Sequence, residues 1–173
     1  MDTIQSGGGP LLCIDLELRA AWRGTEGSSS PPMNGVLRLN DYERACASDD
    51  YIAKIAVSDG FALVLGDMPL ETAVWQAPLG FSAIVRVYYK DPGTNILKIL
   101  GSGESFLQAE IVEEMGANFQ CGDFVIFDSA IPGSDLRETF IPFKISAGGY
   151  RIITKKFEPD DRTSVLVHQF VSE

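Results

Sequence analysis

The chain has 173 residues, 45% of them hydrophobic, and 24 acids against 14 bases give it a net charge of −10. That length suits one domain with a sizeable core, and that hydrophobic share excludes wholesale disorder. The acidic balance, with no basic stripe of interleaved aromatics, argues against a nucleic-acid partner.

Met1-Asp2-Thr3-Ile4-Gln5 has no basic stretch followed by an apolar one. No secretory signal is expected, and the expected location is the cytoplasm. Gly7-Gly8-Gly9-Pro10 invites a phosphate-cradle reading, but no Gly-Lys-Ser or Gly-Lys-Thr follows it. Pro10 also removes a backbone N–H, so a hinge into the first strand is the better account. Leu11 to Ile14 predicts that strand, and Asp15 can cap a short helix through Ala20, closed by Trp22 and Gly24. Residues 25–35 contain Gly-Ser-Ser-Ser-Pro-Pro and read as a flexible loop inside the domain. Asp41 to Ala47 predicts one or two helical turns with Asn40 or Asp41 as the cap.

A β signal then dominates. Tyr51 to Val57 alternates as a half-buried strand, and Ser58-Asp59-Gly60 turns it into Phe61–Leu65 as its hairpin partner. The longest apolar runs, such as Phe61–Leu65 and the stretch Ile84–Val87 interrupted by Arg86, are too short to span a bilayer. Phe81 to Tyr89 predicts another strand, with Arg86 at its middle and Asp91-Pro92-Gly93 as its turn. Residues 96–115 fit helix or strand, and periodicity alone leaves both open. Phe124 to Phe127, Thr139 to Ile145, Tyr150 to Lys156 and Ser164 to Val171 predict further strands. Gly148-Gly149 is expected to join the second of these to the third, and Glu158 to Arg162 to join the third to the fourth. The expected fold is mainly β: a single-domain sandwich or distorted barrel of antiparallel strands, spanning 1–173, with one to three short helices.

No chemistry emerges from the motifs. His168 is the one histidine; it shares a strand face with Leu166 and Phe170 and reads as a packed residue. Cys13, Cys46 and Cys121 are scattered and odd in number, and read as small packing residues with no disulfide or zinc pattern. Asp49-Asp50 and Asp160-Asp161 lack the spacing of a calcium loop. Glu113 and Glu114 are adjacent and point to different faces, so they form no acid/base pair. Trp22, Trp75, Tyr42 and Tyr88 read as packing aromatics, and Arg44 and Arg86 as ion-pair members or interface anchors. No catalytic residue, metal or cofactor is expected. A small-ligand module would instead need an apolar cavity lined by Trp75, Tyr88 or Phe81.

Charge is unevenly spread. Between Ile99 and Phe143 the acids are Glu104, Glu110, Glu113, Glu114, Asp123, Asp128, Asp135 and Glu138, and Arg137 is the only base. These eight are the candidate contact residues for a basic protein partner, which such a field would capture faster.

Five strings stand in order along the chain: Gly8-Gly9-Pro10-Leu11, Trp22-Arg23-Gly24, Asp41-Tyr42-Glu43-Arg44-Ala45-Cys46, Ala62-Leu63-Val64-Leu65-Gly66-Asp67 with Pro69, and Phe127-Asp128-Ser129-Ala130. Together they resemble the Immunity protein 21 family. Gly149-Tyr150-Arg151, Phe157-Glu158-Pro159-Asp160 and Val165 to His168 are consistent with it, so the resemblance spans nearly the whole chain. It implies a bacterial immunity protein of a polymorphic toxin system. Such a protein binds and neutralises a cognate toxin domain, a nuclease among the possibilities, and has no catalytic activity of its own. Gly8, Gly9, Pro10, Trp22, Gly24, Asp41, Tyr42, Arg44 and Cys46 are then expected to maintain the scaffold, since immunity proteins must discriminate among toxins. A small-ligand-binding or structural β-domain is the alternative, and the oligomeric state stays open.

Overall fold

A computed structural model describes residues 2–30, 39–66, 68, 70–77, 80–102, 104–137 and 139–173. In chain order its elements are β1 (Thr3–Ile4), β2 (Leu11–Asp15), α1 (Asp41–Cys46), β3 (Ala53–Val57), β4 (Gly60–Leu65), β5 (Glu71–Gln76), β6 (Ser82–Tyr89), α2 (Ile96–Ser102), α3 (Glu104–Leu107), β7 (Glu110–Phe119), β8 (Asp123–Asp128), β9 (Ile141–Lys144), β10 (Gly148–Asp160) and β11 (Thr163–Ser172). The architecture is mainly β and antiparallel, as expected. Its strands form two open sheets, ordered β1-β5-β6-β11-β10-β7 and β3-β4-β2-β8-β9, and not a closed barrel.

The chain forms two compact units. The first comprises Met1–Thr3, Leu70–Cys121 and Ile145–Glu173. Its long hairpin β10–β11 runs in register from Tyr150 opposite Ser172 to Phe157 opposite Val165, then shifts before Asp160 meets Thr163. Pro159 therefore lies inside β10 and not in a linker, at a register shift where the missing N–H is tolerated. Residues 96–115 resolve into helix and then strand. Ile96, Leu100 and Phe106 join Trp75, Ala83, Val85, Phe157, Val165 and Val167 in one core cluster. Within it the Trp75 ring meets the rings of Phe81 and Phe106 edge-on, at 5.6 and 5.9 Å between centroids. Lys155 fastens α3 to β10: its Nζ donates to the Leu107 carbonyl at 2.9 Å and lies 5.2 Å from the Phe106 ring centre.

The second unit comprises Ile4–Pro69 and Gly122–Lys144. β2 lies at the centre of its sheet, paired with β4 on one side and β8 on the other. The hairpin β3–β4 closes from Val57 to Gly60, with Ser58 in the left-handed region at φ 49°. Leu12, Ile14, Ala62, Val64, Val125 and Phe127 bury one sheet face with Trp22, Ala45 and Leu136. β9 pairs with β8, while β10 belongs to the other sheet, so Gly148-Gly149 opens β10 and joins no hairpin. The short helix expected after Asp15 is a 3-10 turn at Arg19–Ala21. Its N-cap is Leu18, with no side-chain cap, and the Asp15 carboxylate instead accepts from the Glu17 N–H at 2.8 Å.

Candidate functional site

Helix α1 begins with a capping box: Asn40 accepts from the Glu43 N–H and Glu43 accepts from the Asn40 N–H, each at 2.8 Å. Asn40 thus fills the capping role, and Asp41 is free for another. Its side chain is fully buried and collects donors from three segments. The Arg23 N–H donates at 2.8 Å, the Ser29 N–H and hydroxyl at 2.9 Å, and Arg44 Nη1 at 2.7 Å. Arg44 continues to the Ala56 carbonyl in β3 through Nη2 at 2.6 Å. One carboxylate thereby fixes residues 23–29 to α1, and its arginine fixes α1 to the sheet. The loop expected at 25–35 is held by Asp41 as far as Ser29; residues 31–35 lie outside the described residues.

Trp22 is fully buried, and its Nε1 donates to the Ser129 carbonyl at 2.8 Å. The Ser129 hydroxyl donates to the Pro10 carbonyl at 2.7 Å. Asp128 ties the glycine segment down with one oxygen, accepting from the Gly7 N–H at 2.7 Å, while the other accepts from the Ala130 N–H of its own turn at 2.9 Å. Gly9 is glycine because a Cβ there would lie 2.6 Å from the Tyr42 ring. Gly24 is glycine because its φ of 54° brings it against the Ala130 carbonyl. The Tyr42 phenol is pushed up by its contact with the Cys46 thiol, with burial and the Asp128 charge adding to the shift. Cys46 itself is exposed, which corrects its reading as a buried packing residue; on α1 it lies one turn beyond Tyr42, on the helix's outer side. Residues 7–10, 22–24, 41–46 and 127–130, far apart in sequence, thus converge on one node that binds the second unit together. Asp67 and Pro69 of the remaining string lie outside the described residues.

The eight candidate contact acids separate. Glu110, Glu113 and Glu114 lie on β7, the end strand of the six-stranded sheet. Asp123, Asp128 and Asp135 belong to the second unit. Glu138 and the side chain of Glu104 lie outside the described residues. Asp123 faces Lys144 across the β8–β9 ladder at 2.7 Å, and Asp135 lies 3.5 Å from Arg137. Asp128 is committed to the node. β7 also gains basic neighbours from β10 that no count along the sequence would show. Arg151 reaches Glu114 at 4.0 Å, and Lys156 stands opposite Glu110 while pairing with Glu158 at 3.0 Å.

Among the described residues no group of three or more His, Cys, Asp or Glu is placed to hold a metal ion, and no helix is long and apolar enough to cross a membrane. The family model described as Immunity protein 21 matches residues 2–163. The chain belongs to the Immunity protein 21 family. No curated protein and no solved structure matches it. Four of the five strings that carried the resemblance are therefore, in this Immunity protein 21 chain, the residues of the node.

The first unit holds the family member's single histidine. His168 is fully buried, its Nδ1 is 3.0 Å from the Thr154 hydroxyl across the β10–β11 ladder, and its Nε2 has no hydrogen-bond partner. Burial, and then the charge of Arg86, hold its pKa well below the ordinary value of 6.5. The folded chain keeps the ring neutral, whereas the unfolded chain takes a proton below about pH 6.5. Above that pH His168 leaves stability unchanged; below it, stability falls by up to about 1.4 kcal/mol per pH unit. Urea unfolding between pH 7 and 4.5 is expected to show this slope, and His168→Asn to reduce it. An equal slope in wild type and variant refutes the assignment.

Proposed function

We propose that this protein binds a cognate toxin domain and neutralises it, protecting the cell that produces the toxin and its siblings, without catalysis of its own. The family match over residues 2–163 carries this reading. The buried signature residues, Trp22, Gly24 and Asp41 among them, agree with it, since a scaffold shared by a family leaves the surface free to vary with the toxin. The reading expects the adjoining gene to encode a protein that ends in a small toxin domain, and co-expression with that domain tests it. Cells carrying both are expected to survive, and death at wild-type immunity-protein levels refutes the reading.

The contact is proposed to use the carboxylates, Glu110, Glu113 and Glu114 foremost, against a basic surface of the toxin such as a nuclease's phosphate-binding site. Electrostatic steering would speed capture. Reversing the three glutamates to Lys is expected to slow association about tenfold at low salt and to flatten its salt dependence. On-rates that stay at the wild-type value across salt would exclude this surface. Trp75 and Phe81, two of the aromatics that a small-ligand cavity was expected to use, pack into the core cluster of the first unit. A cleft of about 490 Å³ on that unit is lined by Ala73, Val85, Val87 and Ile96, with Glu71 and Lys90 among its polar residues, and by none of the three aromatics.

A further inference from the structure

We infer that the free edge of β7 is a docking site for an extended, basic strand of the partner protein, which would add to the six-stranded sheet as a seventh strand. This rests on the toxin-binding reading and specifies how the contact is made. β7 closes the sheet order, and among the described residues only β10 pairs with it. An end strand of this kind presents backbone N–H and C=O groups to any strand that can approach it.

The exposed half of β7 has the composition of a contact and not only of a guarded edge. Ile111 is 50% exposed, and so is Leu107 just before the strand. Two large aliphatic side chains in the open thus flank Glu110, with Glu113 and Glu114 following, and no base lies on the strand. The register shift between Thr154 and Lys155 leaves Val112 as an extra residue, a bulge that kinks this half of the strand. The three glutamates select the occupant. A second copy pairing antiparallel through the same half would set carboxylate against carboxylate, which is unfavourable across a ladder. A strand alternating Lys or Arg with aliphatic residues would meet Glu110 and Glu113 with its bases and Ile111, on the other face, with its apolar side chains. Arg151 and Lys156 do not cancel this, because they lie on β10, on the side of β7 away from the incoming strand.

The test is amide hydrogen exchange on the full chain, alone and with the toxin domain encoded by the adjoining gene. The variants Met115→Pro, Gly116→Pro and Ile111→Lys are measured beside it. Successive residues of a strand send their N–H groups to opposite edges, so one of the two prolines removes a free-edge donor and spares the β10 ladder. In the complex, outward amides between residues 110 and 116 are expected to exchange at least about tenfold more slowly. The proline variant that melts like wild type, and Ile111→Lys, are each expected to bind about tenfold more weakly. A complex in which these amides exchange as in the free chain overturns the edge and leaves the immunity reading standing. So does wild-type affinity in the well-folded proline variant. Protection of β7 in the chain alone, with a dimer by light scattering, makes a second copy the occupant and also overturns it. No complex and no survival on co-expression removes the toxin-binding reading, and the edge proposal with it.

Discussion

Trp22→Ala is expected to lower unfolding free energy by about 3–5 kcal/mol, and Trp22→Phe by about 1–3 kcal/mol. The indole fills the centre of the second unit's core, fully buried among Leu12, Ile14, Phe127 and Leu136. Alanine leaves a cavity against the paired strands β2 and β8, whose backbones cannot collapse into it. Phenylalanine refills most of the volume but leaves the Ser129 carbonyl without the indole N–H. The backbone around Trp22 is also committed, since its carbonyl accepts from the Gly133 N–H at 2.9 Å. Urea titration followed by circular dichroism checks both values. A loss under about 1 kcal/mol for Trp22→Ala would mean that this unit is not organised around the indole.

Asp41→Ala should cost a similar amount, about 3–5 kcal/mol, for a different reason. The substitution removes almost no apolar packing. It strands the Arg23 and Ser29 N–H groups and leaves Arg44, only 17% exposed at its side chain, without its counter-charge. Removing Arg44 as well should then cost less than the two single losses added together, because the second change relieves the unpaired cation. Additive losses in that cycle would show that the pair does not act as a unit. Both variants are expected to keep the wild-type association rate with the toxin domain once corrected for folded fraction, whereas charge reversal on β7 changes the rate and spares stability. That contrast separates scaffold from contact surface.

The elements legible in the sequence are those with a local cause. β2, β4 and β8 are built on continuous apolar runs and β6 on one broken by Arg86, the β3–β4 hairpin carries its own turn, and α1 carries its own cap. β5 is not predicted, because Glu71 to Gln76 is short and mixes two polar termini with a small apolar centre. Its strand character comes from pairing with β6, from Glu71 opposite Val87 to Gln76 opposite Ser82. The change of sheet between β9 and β10 is equally invisible, since glycines mark a bend but do not choose the partner of the next strand. At the candidate site, the signature strings are legible as text, but their convergence is not. Asp41 looks like a cap because the residues that occupy its carboxylate, Arg23 and Ser29, lie outside its own helix. The Asp–Arg spacing of three on α1 and the serine run upstream are the signals that hint at this arrangement. The acidic window is continuous along the chain but belongs to two units: Glu110, Glu113 and Glu114 to the first, Asp123, Asp128 and Asp135 to the second. Strand pairing then places Arg151 and Lys156 beside the first group.

β11 lies between β6 and β10, at the middle of its sheet, yet it is the last element of the chain. Nearly all of it also falls beyond residue 163, where the family match ends. During translation β6 therefore leaves the ribosome without one of its two neighbours, and the β7–β10 pair forms with its other edge bare. Only residues 163–172 join these halves. The sheet therefore closes from its middle, in one late step: removing β11 is expected to leave β6 and β10 each with a bare edge, and so to unmake the whole first unit and not merely trim it.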